Sequence, residues 1–261
     1  MSTSSPTQRN EIQSLASALS LLETLAGLEA ASLSELVRES RLTYTQTFRM
    51  LATLEARGYV LRDGQRVYQP GPQVALLGQR AGWSHELVEA AAPHLDALCE
   101  LSGELVLLAV RPGLERMVVD RHPWRYSLRV DWPVGSRLPL HVGGLGVALL
   151  AFALPEVQAQ VLKGSLERYT PHTLSSPQAL RKELQRVRQN RVRVSVDDWA
   201  LGEFSVAAPI VHDGSAFGAV NIAGFAARLD AGRRNEYSRA VKSAAETIAA
   251  IYSRESAFPN T

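Results

Sequence analysis

Two capping boxes set close together constrain this chain more than any other feature. In Ser32-Leu33-Ser34-Glu35 and Thr43-Tyr44-Thr45-Gln46 a hydroxyl can accept from the backbone N–H three residues on, while that residue's side chain reaches back. Helix starts so near each other leave room for only a short helix ending near Ser40, then a tight turn, Ser40-Arg41-Leu42. Before them, Ile12, Leu15, Leu19, Leu22 and Leu25 recur at three- and four-residue steps. That is the apolar stripe of an amphipathic helix, with Gly27 as its stop. After them, Thr47, Met50, Leu51 and Leu54 face a core from a third helix reaching about Arg57, with Thr45, Gln46, Arg49 and Thr53 outward or on its flank. Gly58 ends that helix. Tyr59-Val60-Leu61 and Val67-Tyr68-Gln69 then read as strands around Asp63-Gly64, a hairpin signal.

Helix, helix, tight turn, helix, hairpin is the order of a winged helix-turn-helix. The third helix offers short polar groups at its exposed N-terminal end, and its free N–H groups suit phosphate. Arg62 and Arg66 flank the hairpin tip, placed to reach a phosphate or the minor groove. The whole chain carries a net charge of only +2, but from Arg41 to Arg66 five arginines face two acids. Candidate contacts to double-stranded DNA are Arg41, Thr43, Thr45, Gln46, Arg49, Arg62 and Arg66. A small helical protein-interaction domain with a solvated polar face remains the alternative.

A chain of 261 residues suits two domains or one large one. Pro70-Gly71-Pro72 closes the first. Gln73 to Gly82 reads as a connecting helix, and a longer helix follows with Leu87, Ala91, Leu95, Leu98 and Leu101 on one face, Gly103 as its cap, and a kink or new start at Pro93. Strands are expected over Glu104–Val110 and Arg116–Asp120 about Arg111-Pro112-Gly113, and over Arg125–Val130. Helices are expected over Gly144–Ala153, Pro155–Lys163 and, after the cap Ser176 and Pro177, Gln178–Gln189. Further strands are Arg191–Val196, Phe204–Val211 and Ala216–Ala223, the last two joined at Asp213-Gly214, before a final helix from Arg234 to Tyr252. One antiparallel sheet with helices beside it makes this an α+β domain. The organisation is thus 12–70 as the DNA-binding domain, 71–90 as a linker helix and 91–254 as the larger domain.

The residues give little sign of catalysis. No Gly-x-Ser-x-Gly elbow occurs, and Gly144-Leu145-Gly146 lacks the third glycine of a dinucleotide fingerprint, Leu149 standing in its place. His85, His94, His122, His141, His172 and His212 show no metal-ligand spacing, and no metal or other cofactor is expected. Asp197-Asp198 reads as a solvated turn, and Cys99 as a buried structural thiol. A lone cysteine, no long apolar run and a polar start from Met1 to Asn10 point to a cytoplasmic protein without a membrane partner. One segment does read as a site: Gly135 to Gly146 is a Gly-rich loop entering a helix. Either its N–H groups hold a carboxylate, or small residues there let the helix pack on the sheet.

Several stretches together resemble the IclR (isocitrate lyase regulator) family of bacterial transcription regulators, over roughly Ile12 to Tyr252. These are Leu33-Ser34-Glu35-Leu36, Arg49 through Val60, Gly135-Ser136-Arg137-Leu138-Pro139-Leu140-His141, Gly146 with Ala148-Leu149-Leu150-Ala151, Tyr169-Thr170-Pro171-His172-Thr173, Gly202, and Ala207-Ala208-Pro209-Ile210. The resemblance implies a homodimer or homotetramer on a roughly palindromic operator, and a GAF-like C-terminal domain that binds a small metabolite, often a carboxylate. It maps the recognition helix to Thr43 through Arg57, which adds Tyr44 and Phe48 to the DNA contacts. It maps the effector pocket to Gly143, Gly144, Leu145, Ser195, Ser205, Asn221 and Ala223. The chain departs from the family's pattern at Tyr44-Thr45-Gln46, Phe48, Val142-Gly143-Gly144, Val147, Ser195 and Ser205. Ser205 with Asn221 resembles the branch that controls aromatic-acid breakdown. The expected protein is a ligand-responsive repressor or activator and not an enzyme. The rivals are an enzyme on a small metabolite with an accessory winged helix, and an interaction module that binds neither DNA nor ligand.

Overall fold

Both predicted capping boxes close in the computed structural model, which describes residues 12–81, 83–122 and 132–255. The Ser32 hydroxyl accepts from Glu35 N at 3.4 Å and the Glu35 carboxylate accepts from Ser32 N at 2.8 Å, opening α2 (Leu33–Ser40). These bonds hold the Glu35 carboxyl below the usual range. Thr43 and Gln46 do the same for α3 (Tyr44–Ala56), at 3.3 and 3.1 Å. The chain divides into two units, Met1–Gly82 and Trp83–Thr261.

The first unit runs α1 (Gln13–Leu28), β1 (Ala31–Ser32), α2, α3, β2 (Val60–Arg62), β3 (Val67–Pro70) and α4 (Pro72–Ala81). Its three strands form an antiparallel sheet in the order β1-β3-β2. Leu21, Leu25, Leu36, Leu51, Val60 and Tyr68 are buried together, each large apolar side chain contributing about 1.5–3 kcal/mol. Buried Thr47 satisfies its hydroxyl on Thr43 O at 3.0 Å. Two expectations for α1 need correction. Of the α1 stripe, Leu25 is buried and Leu22 half-buried, while Ile12, Leu15 and Leu19 are exposed. Gly27 lies within α1, and Glu29 in a positive-φ conformation ends it. In the hairpin, Asp63 accepts from Gln65 N and Val67 N through its carboxylate, and the left-handed residue is Arg66 (φ 64), not Gly64.

The second unit runs α5 (Trp83–Ser102), β4 (Leu105–Val110), β5 (Glu115–His122), β6 (Arg137–Pro139), α6 (Gly143–Ala151), α7 (Pro155–Lys163), α8 (Pro177–Asn190), β7 (Arg193–Val196), β8 (Glu203–His212), β9 (Ser215–Phe225) and α9 (Ala231–Glu255). The strands make one antiparallel sheet in the order β6-β5-β4-β9-β8-β7. Helices cover both of its faces. Val106, Leu108 and Val110 of β4 join the core with α5 and α9, while Leu105, Leu107 and Ala109 join the one with α6 and α8. Six consecutive buried residues in β4 carry that two-sided burial in the sequence.

Asp213 (φ 47) and Gly214 (φ 78) make the turn of the β8–β9 hairpin, as the sequence predicts. α5 continues through Pro93, so no new helix starts there, and Leu101 is exposed rather than on its core face. Short β6 falls inside the segment read as a loop. The predicted strand Arg125–Val130 lies outside the described residues. No helix among the described residues is long and apolar enough to cross a membrane.

Candidate effector cavity and DNA-binding face

The cap of α3 decides which polar groups it presents. Thr43 Oγ1 and Gln46 Oε1 are spent on each other and on the backbone, leaving the Gln46 amide N–H groups to face outward. Thr45, Phe48 and Arg49 sit one turn apart on the exposed side, with Tyr44 beside them. Phe48 is 46% exposed and Tyr44 62%, so two aromatic rings stand in water on a polar helix. Arg41 (φ 56) ends α2 in a left-handed conformation and is exposed in the turn before α3. On the hairpin, Arg66 is exposed and Arg62 lies over the Tyr68 ring, 5.4 Å from its centroid. All nine predicted DNA contacts therefore lie on the surface of the first unit.

The sheet of the second unit builds a cavity on the face covered by α6. Strand register sets Ser195, Ser205 and Ala223 in one row across β7, β8 and β9, with Asn221 in the next row beside Leu107. Asn221 Nδ2 donates to Ser205 Oγ at 2.7 Å, and Ser195 Oγ donates to Ser205 O at 3.4 Å. Opposite them, α6 begins with Gly143 (φ 70) and Gly144. A Cβ on Gly144 would collide with the Ser205 hydroxyl, and one on Gly146 would press on the Pro139 and Leu140 backbone. The glycines therefore serve helix-against-sheet packing, and Gly143 and Gly144 also line the cavity. Its space, mouth included, is about 440 Å³, and all seven predicted effector residues line it.

Eight further residues complete the wall: apolar Leu107, Leu138 and Phe204, and five that the sequence did not assign to the pocket, Arg116, Trp132, Asp198, Trp199 and Glu203. Arg116 is only 5% exposed, its Nη1 has no hydrogen-bond partner, and its Cζ lies 4.7 Å from the Trp132 ring centroid. Burial lowers its pKa to about 10. Its position was legible: Arg116 and Val118 are the inward residues of an alternating strand, and a charge inward is the signal. Trp199 packs between Trp132 (5.5 Å) and Tyr169 (4.5 Å).

The acidic pair is not a solvated turn. Asp198 is buried, and its Oδ2 meets Arg193 Nη2 at 3.1 Å, while Arg193 Nη1 holds Glu183 at 2.7 Å. Thr170 and Thr173 pin the backbone carbonyls of Asp197 and Asp198 at 2.5 and 2.6 Å. Burial raises the Asp198 pKa, opposed by Arg193, by the Gly143 N–H and by His141. Burial alone raises that of Glu203. Burial, with the Glu167 carboxylate, pushes the Tyr169 hydroxyl up to about 12. Cys99 is half-buried, its thiol 3.8 Å from Glu104 O. Among the described residues no cluster of three or more His, Cys, Asp or Glu is arranged to hold a metal ion.

Known proteins share both units. The model "Bacterial transcriptional regulator IclR C-terminal" matches residues 79–250, and "IclR helix-turn-helix domain" matches 14–64. The HTH-type transcriptional repressor AllR of Salmonella typhi is 31% identical over 247 residues, spanning 93% of this chain and 91% of its own length. AllR of Escherichia coli K12 is 31% identical over 233 residues, spanning 88% and 85%. Among solved structures, the Thermotoga maritima IclR superposes with a TM-score of 0.71 at 25% identity, over 92% of this chain and 98% of that one. An IclR homolog from Microbacterium hydrocarbonoxydans, complexed with 4-hydroxybenzoate, superposes with a TM-score of 0.77 at 23% identity, over 93% and 100%.

Proposed function

Because this chain belongs to the IclR family of bacterial transcriptional regulators, we propose that it is a ligand-responsive regulator that reads operator DNA with α3 and a small carboxylate with the cavity beside α6. The observation that carries the reading is the exposed polar side of α3, where Thr45, Gln46 and Arg49 stand at the capped helix start. A helix entering the major groove puts base-reading side chains there, and its unpaired N–H groups and dipole meet phosphate. Arg41, Arg62 and Arg66 hold the flanking backbone.

The protein acts as a homodimer or a dimer of dimers, so that two recognition helices meet two half-sites about one helical turn apart. An effector that binds one arrangement of those helices better than another shifts DNA affinity by the difference. The class we assign to the effector is a small aromatic acid. Ser205 and Asn221 support it, as does the aromatic wall of Trp132 and Trp199, and one relative in fold holds 4-hydroxybenzoate.

Gel shift with the intergenic DNA upstream of the protein's own gene tests this directly. Specific binding that survives excess unrelated DNA at about 0.15 M salt is the expected result. Binding no tighter than to unrelated DNA would count against the regulator reading for this operator.

A further inference from the structure

The effector cavity holds a buried cation that no described residue pairs. Arg116 Nη1 has no hydrogen-bond partner among the described residues, and the guanidinium lies over the Trp132 ring. Arg193, buried behind the cavity wall, differs in that both of its Nη atoms are ion-paired, to Glu183 and Asp198, and only its Nε lacks a partner. A desolvated, unpaired guanidinium costs stability, and such a group persists where a ligand completes it. Two acceptors in the same walls are also unsatisfied, Asp198 Oδ1 and Asn221 Oδ1. The start of α6, where the sequence placed the effector's carboxylate, shares the cavity wall with a carboxylate of the protein itself, Asp198.

We propose that Arg116 anchors the effector's carboxylate, and that the effector is an aromatic acid lying along Trp132 and Trp199 with a ring hydroxyl or amino group turned to Asn221 and Asp198. This rests on the effector-cavity reading above and adds a direction to it. The anionic end goes to the unpaired donor in the cavity wall, Arg116 Nη1, and a donating end goes to the two unpaired acceptors there. The reverse orientation would set the ligand's negative charge beside the Asp198 carboxylate.

The test is calorimetric titration of the full chain with 4-hydroxybenzoate and with 4-hydroxybenzamide, its uncharged counterpart. Wild type binds the acid at least about tenfold more tightly than the amide. Arg116→Met weakens the acid by about a hundredfold, leaves the amide unchanged, and melts higher than wild type without ligand because the unpaired charge is gone. Arg116→Lys keeps a charge but loses the planar fork, and gives a smaller loss of about tenfold. It also serves if the Met variant does not fold.

Acid binding unchanged in both Arg116 variants would overturn the anchor. Wild type that binds neither compound at millimolar concentration would overturn the aromatic hydroxy-acid class. Ser205→Leu separates these from the parent reading, because it obstructs the cavity without touching Arg116. A Ser205→Leu variant that binds the acid like wild type would overturn the cavity itself as the site.

Discussion

At the residue scale, Ser205 and Arg116 show what a sequence can and cannot expose. Ser205, Asn221 and the glycines at 143 and 144 were named because a family pattern points to them, and the register of three strands brings them to one cavity. Arg116 and Asp198 belong to no such pattern. Their signal was physical: a charge on the inward side of a strand, and an acid five residues after its partner Arg193, just past the end of β7. Exposure is the ordinary fate of both residue types, so the sequence gives no pocket role to Arg116 and makes Asp198 part of a solvated turn. Two outcomes follow here. Ser205→Leu forces a bulky side chain past Gly144 into the cavity, so the response to effector is lost while DNA binding persists, as gel shift with and without 4-hydroxybenzoate would show. Glu203 keeps its proton to higher pH folded than unfolded, because burial disfavours the anion. Its ionisation therefore costs stability as pH rises through the ordinary carboxylate range toward the folded value, and costs nothing where both states are protonated. Glu203→Gln should melt higher than wild type at neutral pH, with the gap closing toward about pH 4; a gap independent of pH would contradict it.

At the element scale, the helices with strong local signals were the legible ones. α2, α3 and α8 carry capping side chains, and the structure starts them where the caps stand. α1 shows the limit of periodicity. Its leucines recur at helical steps, yet Leu15 and Leu19 face solvent, because a small first unit has core surface for only part of so wide a stripe. The short strands β1 and β6 had no signal of their own, as their existence depends on partners far along the chain. The Thr43 cap makes the sharpest prediction at this scale. Thr43→Ala removes the acceptor for Gln46 N and the partner of Gln46 Oε1. It should destabilise the DNA-binding unit by about 1 kcal/mol, read as a lower urea midpoint with an unchanged slope. No change in midpoint would mean that water replaces the cap without loss.

At the scale of the whole molecule, the sequence carried the division of labour between a basic winged helix-turn-helix and a larger α+β unit. It missed that helices cover both faces of the larger sheet, although the unbroken apolar run of β4 carries that fact. Linkage joins the two activities. Whatever factor an effector applies to operator affinity, the operator applies to effector affinity. All of this presupposes that α3 meets DNA with its exposed N-terminal side. The most direct measurement is fluorescence anisotropy of a labelled upstream fragment, titrated with wild type and Arg49→Ala across a salt series. Arg49 is exposed on α3, so its loss leaves the fold and its melting temperature unchanged. The account predicts an affinity lower by about 1–3 kcal/mol, roughly ten- to a hundredfold, for Arg49→Ala. Equal affinity and equal salt dependence for the two proteins would contradict it.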